Sequence, residues 1–162
     1  MSKQDFRHYQ SPNGITDLHA YPVTASQTFL AGEPVVVVAA GTLSEAADDP
    51  SAIAGFAAHG SLDVDSADLG VGSPVTVYGF TPGQVFITRR FATAGGGVAV
   101  TPALTNVGDL AGFDLSSGVW TLDTGQGNLL ARIVGVQDIS GNNLGDPNVL
   151  PGTGVWVLFT PA

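Results

Sequence analysis

The sequence predicts an all-β fold, a single small β-barrel or β-sandwich of short strands behind an extended N-terminal arm. Three observations carry that expectation. Short β-branched runs recur between clusters of Gly, Pro, Asn and Asp at fairly even spacing. No apolar stretch keeps a helical period beyond a turn or two, because Pro50, Pro102 and Gly108 cut short the two best candidates, Ser44–Ala47 and Leu104–Leu110. A chain of 162 residues with no cysteine is long enough for one core without staples, since a compact fold of this size hides roughly 70% of the surface its unfolded chain exposes.

The arm is expected over residues 1–25 and the domain over residues 26–162. Within the arm, Ser11-Pro12-Asn13-Gly14 is a turn signature with no steady period around it. Phe6, Tyr9 and Tyr21 are poor choices for a solvated tail, which suggests an arm that orders on a partner. Val35–Val38, bounded by Gly32-Glu33-Pro34 and Gly41, reads as a strand buried on both faces. Pro74–Tyr78 and Gln84–Thr88 flank Thr81-Pro82-Gly83 and read as a hairpin. Further strands are expected at Ile53–Ala58, Val98–Val100, Gly118–Leu122, Leu129–Val136 and Gly154–Phe159, with Gly95-Gly96-Gly97 as a flexible hairpin tip. Trp120 and Trp156 lie among valines and leucines, as core residues do.

Charge narrows the function classes. Fourteen acidic against five basic side chains give a net charge of -9, and residues 21–88 contain seven acids with no lysine or arginine. Wrapping nucleic acid needs clustered Lys and Arg, so no nucleic-acid partner is expected. The longest apolar run, Val35–Ala40, is far short of the roughly 20 residues that span a bilayer, and the polar N-terminus lacks a secretory pattern. A protein made in a cytoplasm, without a membrane partner, is the expectation. Charged residues are only 12% of the chain while 44% are hydrophobic, a thin coat that suits a surface partly hidden against partners.

Catalytic constellations are thin. His8, His19 and His59 lie in separate segments without metal-ligand spacing, and Lys3, the one lysine, leaves no P-loop or Schiff-base candidate in the core. Glu33 and Glu45, the only glutamates, both sit near turns and suggest no glycosidase dyad. Asp63, Asp65 and Asp68 resemble half of a calcium loop, but Asp68 and Pro74 occupy the positions where an EF-hand needs Gly and Glu. The chain is therefore read as a non-enzyme with no cofactor and no metal. Arg89 and Arg90, at the end of a strand, point to opposite faces and offer either an acid-recognition point for a neighbouring subunit or an internal salt bridge.

The order of Ala31-Gly32-Glu33-Pro34-Val35, Asp48-Asp49-Pro50-Ser51-Ala52-Ile53-Ala54-Gly55-Phe56-Ala57 and Gly72-Ser73-Pro74-Val75-Thr76-Val77 resembles the capsid cement, or decoration, proteins of tailed bacteriophages. Leu130–Val136 and Gly154–Phe159 fit the closing pair of strands of that pattern, which covers about Tyr21 to Pro161. The resemblance implies a β-tulip-like domain that binds the outside of the capsid, often as a homotrimer. It would bridge neighbouring copies of the major capsid protein against the pressure of packaged DNA. The residues suggested for capsid or subunit contact are Phe6, Arg7, Tyr9, Tyr21, Arg89 and Arg90. Two alternatives stay open: another virion β protein, such as a tail-tube or head-fibre component, and a carbohydrate-binding β-sandwich using Trp120 or Trp156.

Overall fold

The structure, a computed structural model, describes residues 6–61, 73–145 and 154–162. Within them the chain is all-β, as the alternating runs predicted. The strands are β1 (Arg7–Gln10), β2 (Leu18–Pro22), β3 (Pro34–Val37), β4 (Leu43–Glu45), β5 (Gly55–Ala57), β6 (Pro74–Gly79), β7 (Val85–Thr88), β8 (Phe91–Ala92), β9 (Leu110–Ser116), β10 (Val119–Asp123), β11 (Ala131–Gln137) and β12 (Trp156–Pro161). They form a seven-stranded sheet in the order β1-β7-β12-β11-β9-β10-β8 and a five-stranded sheet in the order β2-β6-β5-β3-β4. This is a sandwich-like arrangement of two sheets, not a closed barrel.

Chain connectivity dictates the shape of the larger sheet. Only Arg89 and Arg90 separate β7 from β8, yet these strands stand second and last in the sheet order. Three Cα steps reach at most about 11 Å, whereas five strand spacings in a flat sheet would be about 24 Å. The sheet therefore curls until its β8 edge returns towards β7.

Aromatic side chains fill the inside of that curl. Phe86, Phe91, Phe113, Trp120, Leu122, Ile133 and Phe159 face inward on alternate positions of their strands, and Phe56 of β5 enters from the smaller sheet. The Phe56 ring lies 4.7 Å from Phe86 and 5.5 Å from Phe113, in tilted and edge-on geometries that aromatic pairs prefer. Phe56 can lie so deep because its neighbour Gly55 passes close to the carbonyl of Tyr78, where a Cβ would collide. The other face of the five-stranded sheet carries a second, aliphatic cluster of Val35, Leu43, Ala57, Val75 and Val77, closed over by Val23 and Phe29. An acidic turn holds the sheets together. Asp48 accepts the Leu115 N–H at 2.8 Å, and Asp49 accepts that of Asn128 at 2.9 Å, so residues between β4 and β5 grip β9 and the turn before β11.

Several expectations are corrected. The N-terminal segment is extended in backbone but is not an arm set apart from the domain: β1 pairs with β7 and β2 with β6, one strand in each sheet. Phe6 explains why. Its side chain is 3% exposed and its ring stands 5.2 Å from Phe56, 5.7 Å from Phe113 and 5.8 Å from Phe159, so the aromatic residue that looked homeless in sequence is part of the core. The buried Gln84 holds β1 and the segment after it, its Oε1 accepting His8 Nε2–H at 2.8 Å and its Nε2 donating to the Ile15 carbonyl at 3.1 Å. The strands β6 and β7 do not form a hairpin, since they belong to different sheets. Their connection carries Phe80, whose ring packs on Phe56 and Phe86, so the turn crosses the core instead of folding back. β3 is buried at Pro34 and Val35 but exposed at Val37, not covered on both faces. Val98–Val100 is not a strand, and Leu43–Glu45 is a strand where a helical turn was an option.

Candidate functional site

Period-two alternation places a second set of side chains on the outer face of the seven-stranded sheet. Ile87 of β7 is opposite Arg7 on one side and Leu158 on the other, while their neighbours Phe86 and Phe159 point into the core. Trp156 shares the outer face with Leu158, and Arg132 shares it with Val134, flanking the inward Ile133. The Arg89 guanidinium stands 4.1 Å from the centre of the Trp156 ring, and that of Arg7 stands 5.9 Å from it. Such cation–π contacts hold a long cationic side chain flat against an aromatic surface. Tyr9 reaches across β7 and β12, where its hydroxyl accepts Gln137 Nε2 of β11 at 3.2 Å. This layer explains why Ile87 and Leu158, apolar residues on an outer face, are only 8% exposed.

The face has an unusual charge for this chain. Three of its four arginines, Arg7, Arg89 and Arg132, lie on it, and all three are exposed. Arg132 donates to the Gly108 carbonyl at 3.2 Å. Neither Arg89 nor Arg90 forms an ion pair among the described residues. An exposed cationic and aromatic surface is suited to an acidic protein partner, because arginine brings several donors in a fixed fork and stays charged at any physiological pH.

The residues singled out in sequence divide among different surroundings. Arg7, Tyr9 and Arg89 come together on the outer face. Phe6 does not join them, being internal. Tyr21 is half-buried beside the aliphatic cluster of the smaller sheet, with its ring 6.0 Å from that of His19. Arg90 lies next to β10 at the far end of the sheet order, where its carbonyl accepts the Leu122 N–H at 3.0 Å. The two sequence-adjacent arginines thus belong to opposite ends of the sheet order. Trp156 is a member of the face and not of the core, contrary to expectation. The unbroken apolar run from Val155 to Phe159 hides the alternation that would mark it, but Val157 and Phe159 as inward residues put Trp156 outward. Gln137 and Arg132 also belong here and carried no signal in the sequence.

A separate cleft of about 440 Å³ opens at the β4 edge, lined by Thr28, Glu33, Glu45, Leu115, Val119 and Trp120 among others. It gathers both glutamates, but each is already engaged: Glu45 Oε1 accepts the Thr28 N–H and hydroxyl at 2.5 and 2.6 Å, and Glu33 Oε2 accepts the Leu30 N–H at 3.0 Å. These bonds brace the loop before β3. Trp120 is 3% exposed and presents no ring face for a sugar to stack on. Among the described residues no group of three or more His, Asp or Glu side chains converges as a metal set. The Asp63, Asp65 and Asp68 stretch and Lys3 lie outside the described residues. No helix of the described chain is long and apolar enough to cross a membrane.

Comparison with protein-family models, with curated proteins and with solved structures finds no match to this chain.

Proposed function

We propose that this chain is a structural virion protein that binds the outer surface of a tailed-phage capsid and cements neighbouring major capsid proteins, docking through the outer face built by Arg7, Tyr9, Arg89, Arg132 and Trp156. The observation that carries the reading is the setting of Arg7 and Arg89 over the half-buried Trp156, with Arg132 on the same exposed sheet face, in a chain with net charge -9. Flat arginine and aromatic surfaces are the groups that dominate protein–protein binding energy. The remaining surface is acidic, so the field of the molecule orients this one face towards a negatively charged partner and turns the rest away from it. The order of strand-opening signals that resembles the cement proteins supplies the identity of that partner, the major capsid protein. A homotrimer at three-fold positions of the shell belongs to the same reading.

Cosedimentation of the purified chain with expanded, DNA-free shells of the major capsid protein encoded in the same genome tests it. Saturable binding to the shell exterior, weakening as salt is raised, is the expected result. No binding to shells together with binding to isolated tails or to polysaccharide would replace the reading with one of the two alternatives. Light scattering behind size exclusion reads the subunit number independently, with a trimer expected.

A further inference from the structure

We propose that Asp114 and Asp123 hold a divalent cation of the calcium type on the outer face of the seven-stranded sheet, beneath the turn Gly95–Gly97. In β9, Phe113 and Leu115 pack towards the core, which leaves Asp114 outward; in β10, Trp120 and Leu122 leave Thr121 and Asp123 outward. The ladder sets Asp114 opposite Thr121, so Asp123 is its diagonal neighbour on the same face. Side chains in that relation have Cβ atoms within roughly 7–8 Å, close enough for two carboxylates to meet one ion at about 2.3–2.6 Å.

Both carboxylates are shut away from solvent, at 4% exposed for Asp114 and 0% for Asp123. Each has one oxygen satisfied. Asp114 Oδ1 accepts Gln126 Nε2 at 2.7 Å, while Asp123 Oδ1 accepts the Gly95 and Gly125 N–H groups at 3.1 and 2.8 Å. The other oxygen of each, Oδ2, is buried with no hydrogen-bond partner. Uncompensated buried carboxylate oxygens are costly, and two of them on one face require a counter-charge between them.

The roof is shaped for it. Gly97, with φ +64°, passes directly over Asp114 Oδ2, where a Cβ would stand 2.5 Å from that oxygen. Gly95 and Gly96 share the left-handed conformation, so the turn lies over the carboxylates with no side chain of its own. The Thr121 hydroxyl on the same face and the carbonyls of this turn are further oxygen donors of the kind that calcium takes. Arg90, beside Thr121 across the β8–β10 ladder, brings a third buried polar atom without a partner, its Nε. A water bridge from Arg90 to the two carboxylates is the competing arrangement.

Calorimetric titration of the full chain with calcium chloride, and its melting temperature in chelator against about 10 mM calcium, separate the two. The cation site predicts one bound equivalent outside any contribution of the Asp63–Asp68 stretch, with Kd on the order of 0.1–1 mM and a Tm rise of roughly 3–10 °C. Asp123→Asn and Asp114→Asn keep shape and remove charge, and should each abolish most of that rise, whereas the combined D63N, D65N and D68N variant should retain it. Absence of both heat and Tm change in the wild-type chain overturns the proposal. So does a rise that survives Asp123→Asn but is lost in the D63N, D65N and D68N variant. The wild-type titration and the Asp114→Asn variant decide the matter should Asp123→Asn not fold.

Discussion

The outer face of the seven-stranded sheet has two ends that the same pleat treats in opposite ways. Across β1, β7, β12 and β11 it is bare, and carries arginines and aromatic rings held against one another. Across β9, β10 and β8 it is roofed by the Gly95–Gly97 turn, and carries carboxylates shut from water. Charge of one sign is displayed and charge of the other is buried on a single surface. The contrast teaches that burial, not composition, decides what a partner meets: a chain with net charge -9 presents a cationic face because the acids of the same sheet lie under a turn. Residues at the bare end should then matter for docking and little for folding, and residues at the roofed end or beneath the sheet the reverse.

The largest effect of a single substitution is expected at Phe6, which lies under the bare end. Phe6→Ala removes a ring in contact with three others and should cost about 3–5 kcal/mol, seen by thermal denaturation as a fall of roughly 6–20 °C. Deletion of residues 1–20 should abolish cooperative melting, since it takes away β1 and part of β2 as well. A truncated chain that melts like the full one would dissolve the distinction between Phe6 below the sheet and Arg7 above it. At the roofed end, Asp123→Ala strands two N–H groups and should lower stability by about 2–3 kcal/mol in chemical denaturation. Asp49→Ala, which releases the clip between sheets, should cost about 1–2 kcal/mol in the same measurement. Arg7→Ala at the exposed end should change stability by less than about 0.5 kcal/mol.

The smallest effect concerns pH. The Asp138 carboxylate is held below its ordinary 3.8 by the Asn142 backbone N–H above all, then by the Asn142 side chain. A lowered folded-state value means that the turn over residues 138–142 gains from the charge above the ordinary value and loses it as pH falls through the lowered one. Amide exchange at Ser140 and Asn142 should accelerate there without global unfolding, because the bonds lost are local to this turn. Protection that is unchanged in acid would contradict that origin of the turn.

Much of this fold was legible from spacing alone. The alternation in β6, β7, β10, β11 and β12 marks strands that the structure contains, and their turn residues lie where Gly, Pro and Asn predicted breaks. What spacing could not convey is partnership. Gln84–Thr88 and Pro74–Tyr78 are both strands, but a local signal cannot say that Phe80 drags the connection across a core. β9 went unseen although Ala111, Phe113 and Leu115 alternate with Gly112 and Asp114, because Gly and Asp are residues that strands disfavour, and the reason for that Asp is a tertiary one, the turn above it. Arg7, Tyr9 and Arg89 could be picked out for their rarity in an acidic chain. That Arg7 and Arg89 meet over Trp156 while Tyr9 reaches Gln137 depends on which strands lie between β1 and β11, a ladder order that no local signal carries. The two faces of the N-terminal segment show the same limit: Phe6 and Arg7 are neighbours in sequence and both stood out, but only the pairing of β1 with β7 sends one inward and the other outward.

The most direct test of the docking face is the affinity of Arg89→Glu for expanded shells, measured beside the wild-type chain at equal thermal stability. Loss of a guanidinium stacked on Trp156 in the proposed contact, and its replacement by like charge, should weaken binding by at least about tenfold while Tm moves by no more than about 2 °C. Unchanged affinity, in a variant that melts like the wild type, would show that the protein holds its partner with some other surface.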